Sequence, residues 1–171
     1  MTSQGCVLAL TGKASEAVEM ITSGIAAFRS TGSTLFTPWY LSNLAKAYAQ
    51  LGQLDDAWHC IGEAVTAVET TKEKWCEADV HRVAGEIAVL SPEADAAKAE
   101  AHFERALAIA RAQQAKSLEL RAAMSMARLW RDQGKRNEPR KILSPVYGWF
   151  TEGFDTLDLK QAKALLEELA L

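Results

Sequence analysis

Small side chains return along this sequence at long, regular intervals. Ala17, Ala57, Ala99 and Pro139 are separated by 40, 42 and 40 residues; Gly24, Ala64, Ala106 and Val146 keep the same steps; and Ala45, Gly85 and Ala127 give 40 and 42. Two antiparallel helices approach closely only where Ala or Gly removes bulk, with larger residues filling the gaps on either side. A pattern that recurs every forty residues in three registers therefore implies a stack of helix pairs whose core runs along the stack. The two extra residues in the middle step fall at Ser91-Pro92, a turn.

Local signals place the helices. Residues 6–10 read as the last turns of a helix, cut off at its start and stopped by Thr11-Gly12. Residues 13–29 form an amphipathic helix through Ala17, Ile21, Ile25 and Phe28, and residues 30–34 a loop. The first complete pair opens through Thr37-Pro38, with Pro38 in the first turn where a missing N–H costs little. Its A helix, residues 35–51, is expected to bury Trp39, Leu41, Leu44, Tyr48 and Leu51; Gly52-Gln53 turns the chain. Asp55-Asp56 then begin a B helix, where the macrodipole favours acids, and it buries Ala57, Ile61, Ala64 and Val68. The next pair spans residues 73–90, with Trp75, Val80, Val83, Ala84 and Ile87 inward, and residues 94–113, with Ala99, Phe103, Ala106, Ile109 and Ala110 inward. A third pair follows at residues 117–133, ending at Gly134, and residues 137–150. After an aromatic, glycine-punctuated turn, Asp155 or Thr156 caps a last helix that buries Leu157, Ala162, Leu165, Leu166 and Leu169 and turns Lys160, Lys163, Glu167 and Glu168 outward.

Composition narrows the class. The 171 residues are rich in Ala and Leu with four prolines, and nothing approaches the run of about 18 apolar residues of a membrane span, so no membrane partner is expected. Cys6, Cys60 and Cys76, an odd number without paired spacing, together with the absence of a signal-like start, suggest a reduced, cytoplasmic protein. A net charge of −3 argues against nucleic acid, yet residues 113–147 hold eight Lys or Arg (Lys116, Arg121, Arg128, Arg131, Lys135, Arg136, Arg140 and Lys141) against three acids, a local +5 that leaves −8 elsewhere. That asymmetry either steers an acidic partner or reflects solvated faces interleaved with acids from other helices.

Residues 41–65 carry Asn43-Leu44-Ala45, Tyr48, Leu51-Gly52, Ala57, Ile61 and Ala64 where the tetratricopeptide consensus wants apolar, small, aromatic and turn residues. The period exceeds the usual spacing of about 34 residues for that repeat. From Gly24 to Ala45, Ala64 to Gly85 and Ala106 to Ala127 is 21 residues each time, so the added length lies between pairs. With these residues, His81-Arg82-Val83-Ala84-Gly85-Glu86, Phe103-Glu104-Arg105-Ala106-Leu107-Ala108-Ile109-Ala110, and Pro145 to Thr156 followed by Asp158-Leu159-Lys160, the chain resembles the C-terminal tetratricopeptide region of large bacterial signalling proteins. Those proteins join a nucleotide-cyclase-like or other output domain to an AAA-type ATPase and a helical array. No cyclase or ATPase sequence is present here, and the first repeat lacks most of its A helix, which suggests a fragment or a free-standing piece of a longer ancestor. The resemblance implies an all-α, right-handed α–α superhelix: a partial repeat at 1–34, repeats at 35–72, 73–115 and 116–150, and a capping helix at 151–171. It also implies a non-catalytic scaffold binding protein or peptide along the concave A-helix surface. A second class of function, small-ligand sensing, is implied by likeness to long-period repeats in regulators such as the maltose-regulon activator.

The register puts Ser42, Lys46 and Ala49, then Arg82, Glu86 and Val89, then Met124, Arg128 and Arg131 on that concave face. Lys46, Arg82, Arg128 and Arg131 would suit an acidic peptide or carboxylate through charge-assisted contacts, or they are ordinary solvated helix residues. The chaperone-type carboxylate clamp wants Lys then Asn four apart, whereas Ser42 and Lys46 stand there. His59, His81 and His102 fall on three helices without the close pairing of a zinc site. Gly12-Lys13 lacks the glycine of a phosphate loop, and no nucleophile elbow is present. Trp39, Trp58, Trp75, Trp130 and Trp149 read as packing residues. No enzyme activity, cofactor or metal is expected. The incomplete first pair is expected to leave Val7, Leu8, Leu10, Ile21, Ile25 and Phe28 uncovered, an apolar surface suited to self-association.

Overall fold

The computed structural model describes residues 2–91, 95–135 and 137–170, among which there are nine α-helices, one short 3₁₀ turn and no strand. They pair as α1 (Thr2–Leu10) with α2 (Ala14–Ser30), α3 (Thr37–Gln50) with α4 (Leu54–Thr71), α5 (Glu77–Leu90) with α6 (Ala96–Ala112) and α7 (Lys116–Asp132) with α8 (Glu138–Tyr147), and α9 (Leu157–Glu168) closes the series. The odd helices pack in succession on one another, and each even helix packs on its own partner and on the next odd helix. The result is an α–α superhelix of helical hairpins with a final capping helix.

The periodic positions form the core. Ile21, Ile61, Phe103 and Leu143, again 40, 42 and 40 residues apart, are all buried, as are Ala17, Ala57, Ala99 and Pro139 beneath them. Each fully buried Ile, Leu or Phe contributes about 1.5–3 kcal/mol. The turns keep the period too. Gly12, Gly52 and Gly134 follow α1, α3 and α7 with φ between 75° and 80°; Gly32, Lys72 and Gln114 follow α2, α4 and α6 with φ of 73°, 62° and 54°. Pro38 lies in the first turn of α3, and Asp55 and Asp56 in that of α4.

Several expectations are corrected. Trp75 is 48% exposed, because Lys74–Cys76 forms a 3₁₀ turn and the α-helix begins only at Glu77; its ring packs edge-on against Phe36. Leu51 is 41% exposed, since it stands at the C-cap of α3, past the last core-facing turn. Trp149 is 58% exposed because α8 ends at Tyr147 and the chain turns at Gly148. Leu157, the first residue of α9, is likewise exposed. Thr156 is the N-cap of α9, but its hydroxyl donates back to the Gly153 carbonyl at 2.7 Å instead of accepting from the helix.

At the other end, Ile21 and Ile25 are buried, because α1 packs along α2 and α3 and covers them. Val7 is 58% exposed, and Leu8 and Phe28 are half-buried. The Leu10 side chain, Pro92 of the Ser91-Pro92 break, Ala94 at the expected start of α6, and Arg136 lie outside the described residues.

Candidate functional site

The C-terminal halves of α3, α5 and α7 run side by side and enclose a cavity of about 360 Å³. Lys46, Ala49 and Gln50 supply one wall, Glu86, Val89 and Leu90 the middle, and Ser125, Arg128, Arg131 and Asp132 the far wall; Val83, Ile87, Phe103 and Leu129 supply apolar lining. Phe103 comes from α6 and reaches this side because Gly85 has no side chain in its way.

Of the six expected contact residues, Lys46, Glu86, Arg128 and Arg131 meet at this cavity. Arg82 and Met124 do not line it: they are 7% and 3% exposed, in the seams where neighbouring A helices press together. Ser42 is also fully buried, donating to the Trp39 carbonyl at 2.9 Å. A concave register in one repeat becomes a helix contact wherever the next A helix leans across it.

Arg82 instead ties together the helix seam beside the cavity. Its Nε donates to Asp79 Oδ1 at 2.8 Å, its Nη1 pairs with Glu86, and Ser125 Oγ donates to Glu86 Oε1 at 3.2 Å. Burial opposes charge on Asp79, but Arg82, with Lys46 behind it, holds that carboxyl below its usual range.

Lys46 is half-buried and has no carboxylate within ion-pair distance among the described residues. Burial, and next the Arg82 guanidinium, pull its pKa below the ordinary lysine value; Glu86 and Asp79 oppose this. Arg128, across the cavity, is also without a carboxylate partner among the described residues. Arg131 is engaged by Asp132 at 2.9 Å and Glu168 at 2.8 Å. Much of the basic stretch is neutralised similarly: Lys116 by Glu119, Arg121 by Asp158 and Lys135 by Glu100. Of that basic stretch, Arg128 alone lines this cavity without a carboxylate partner among the described residues, and Lys46 of α3 joins it above an apolar floor.

A second cluster was not legible in the sequence. His81 of α5 and His102 of α6 face each other across their hairpin, with Nδ1 atoms 3.4 Å apart and ring planes 30° apart. The residues lie 21 apart, so only the antiparallel crossing of the two helices brings them together. His59 stays apart on α4, near Glu63 at 3.7 Å. Among the described residues there is no group of three or more His, Cys, Asp or Glu suited to a metal, and no helix is long and apolar enough to cross a membrane.

Stacked helical hairpins with inner A helices and outer B helices are the architecture of tetratricopeptide-like repeats. Among solved structures, the chain is similar to the nearly identical TPR-like repeats of a Podosopora anserina protein assigned as a kinesin light chain. The TM-score is 0.68 at 18% identity, over 98% of this chain and 82% of that one. A variant of the same protein gives a TM-score of 0.69 at the same identity and coverage. At that identity the likeness concerns the fold. No protein-family model matches the sequence, and no curated protein matches it significantly.

Proposed function

We propose that this chain is a non-catalytic scaffold of the cytoplasm that binds a segment of another protein in the A-helix cavity, and that the segment carries a carboxylate beside an apolar side chain. The observation that carries this reading is the pair of unpartnered cations, Lys46 and Arg128, over a floor of Val83, Ile87, Phe103 and Leu129. A half-buried ammonium with a lowered pKa gains most from an incoming anion, which restores the charge partner that burial denies it. The apolar floor supplies the area and the two cations the orientation. The setting we infer is a bacterial signalling or regulatory protein of which the chain is part or from which it derives; the residues quoted above for that resemblance support it.

The test is fluorescence anisotropy with labelled peptides that pair an apolar residue with Asp or Glu. Lys46→Ala and Arg128→Ala should each weaken binding about tenfold, the worth of one charge-assisted hydrogen bond. Binding indifferent to both substitutions would sink the reading.

A small-ligand sensor is the second reading, supported by a cavity volume within the range of about 300–1,000 Å³ that small molecules occupy. It predicts a metabolite that raises the melting temperature of the wild type but not of Lys46→Ala. Self-association through the N-terminal end rests on Val7. It predicts a dimer at high concentration that Val7→Glu disperses, and a strictly monomeric mass removes it.

A further inference from the structure

We propose that His81 and His102 bind a borderline divalent transition metal, Zn²⁺ in the first instance, as a clip between α5 and α6. Their Nδ1 atoms stand 3.4 Å apart. That is long beside the about 2.7–3.2 Å of an ordinary N–H hydrogen bond, although one ring can still donate to the other across it, the tautomers deciding which. It matches the bite of a tetrahedral centre, since two nitrogens at about 2.0–2.1 Å from one Zn²⁺ lie about 3.3–3.4 Å apart.

The surroundings hold this pair in place. The Trp58 ring of α4 lies 5.9 Å from that of His102, and Lys98 caps Trp58 at 3.8 Å, so one side of the site is a fixed aromatic wall. Metal ligation needs neutral imidazoles. An ordinary imidazole is mostly neutral at pH 7. Of the charged groups nearby, Arg105 leans toward Glu77 at 3.8 Å, one helical turn before His81, which offsets its repulsion of a cation. When both rings carry their proton on Nε2, both Nδ1 lone pairs are available, and an ion about 2.0–2.1 Å from each nitrogen sits off the line that joins them. No third His, Cys, Asp or Glu completes a cluster among the described residues, so water fills the remaining positions and the ion stays open to an added ligand. None of these residues lines the A-helix cavity, so the metal site and the peptide reading stand independently.

The experiment is titration of the tag-free full chain with Zn²⁺, and with Co²⁺ as a spectroscopic substitute. One ion per chain is expected, with a tetrahedral Co²⁺ visible spectrum. The melting temperature should rise by roughly 3–6 °C when free metal exceeds Kd tenfold. His81→Ala and His102→Gln should each abolish these responses, whereas His59→Ala should leave them intact, with circular dichroism confirming helix content in all three. Imidazole ¹⁵N shifts should place the metal on Nδ1 of both rings. Absence of binding at millimolar Zn²⁺, or binding that survives both substitutions in folded protein, would overturn the proposal.

Discussion

Phe103 occupies the space that a side chain at Gly85 would need: an added Cβ would meet the ring, standing 2.6 Å from Cδ1. At the equivalent A-helix positions the chain has Ala45 and Ala127, and at the equivalent B-helix positions Ile61 and Leu143. The third repeat therefore exchanges one methyl group on α5 for a larger ring on α6. Gly85→Ala should destabilise by about 1–3 kcal/mol through overpacking, and Phe103→Leu by about 1–2 kcal/mol through the cavity it leaves. The double substitution recreates the pairing of the other repeats and should recover at least about 1 kcal/mol relative to the sum. Urea denaturation of the four proteins measures this coupling. Gly62→Ala, in α4 with open space around it, should instead stabilise by about 0.5–1 kcal/mol.

The turns offer a second, independent reading of the period. Gly32, Lys72 and Gln114 share a left-handed backbone, but only the first is glycine. An L-residue in that conformation costs roughly 1–2 kcal/mol, partly offset by the greater freedom glycine loses on folding. Lys72→Gly and Gln114→Gly should each raise stability by about 0.5–1 kcal/mol in thermal or denaturant melts. A loss of stability at both would show that the turn conformations differ from those described.

These relationships explain which parts were legible in the sequence. Small residues at fixed steps, and a proline and two aspartates at helix starts, encode local geometry directly, and the structure follows them. Trp75, Leu51 and Trp149 misled because helical periodicity says nothing of where a helix stops: each lies at a boundary, where the hydrophobic face rotates away from the core. Arg82 and Met124 sit in the expected register, yet whether a concave position is open depends on how closely the next helix leans, which one helix cannot encode. The pairing of His81 with His102 depends on how α5 crosses α6, a relation between two helices that the pattern within either one does not carry.

Arg82, buried beside the cavity, and Lys46, in its wall, should separate cleanly by mutation. Arg82 is buried between Asp79 and Glu86, so Arg82→Met leaves two carboxylates without their cation and should cost about 3–5 kcal/mol in stability. Lys46 has no such partner and its burial disfavours its charge, so Lys46→Met should leave stability unchanged or slightly raised while binding weakens about tenfold. Equal destabilisation by the two substitutions would place Lys46 in the structural network and remove it from the site.

The histidine pair gives the molecule an acid response in a defined window. His81 titrates at about 4 in the fold, against about 6.5 for a free histidine, and His102 is shifted in the same direction. Between these values the unfolded chain binds more protons than the native one, so stability rises with pH there. The contribution is complete above pH 6.5, falls as pH drops through the interval, and is lost once both states are protonated near pH 4. Because His81 is only partly buried, solvent screening reduces the effect to about 1–2 kcal/mol. Asp79, held below its usual range by Arg82, adds a further loss at lower pH, as its carboxylate is protonated. Urea midpoints at pH 7, 6, 5 and 4 should decline in wild type, while His81→Gln should flatten the curve between pH 6.5 and 4 and leave the steeper loss below it. A wild-type midpoint constant across that interval would show that both imidazoles titrate as free histidines and that the pair is not held neutral by burial.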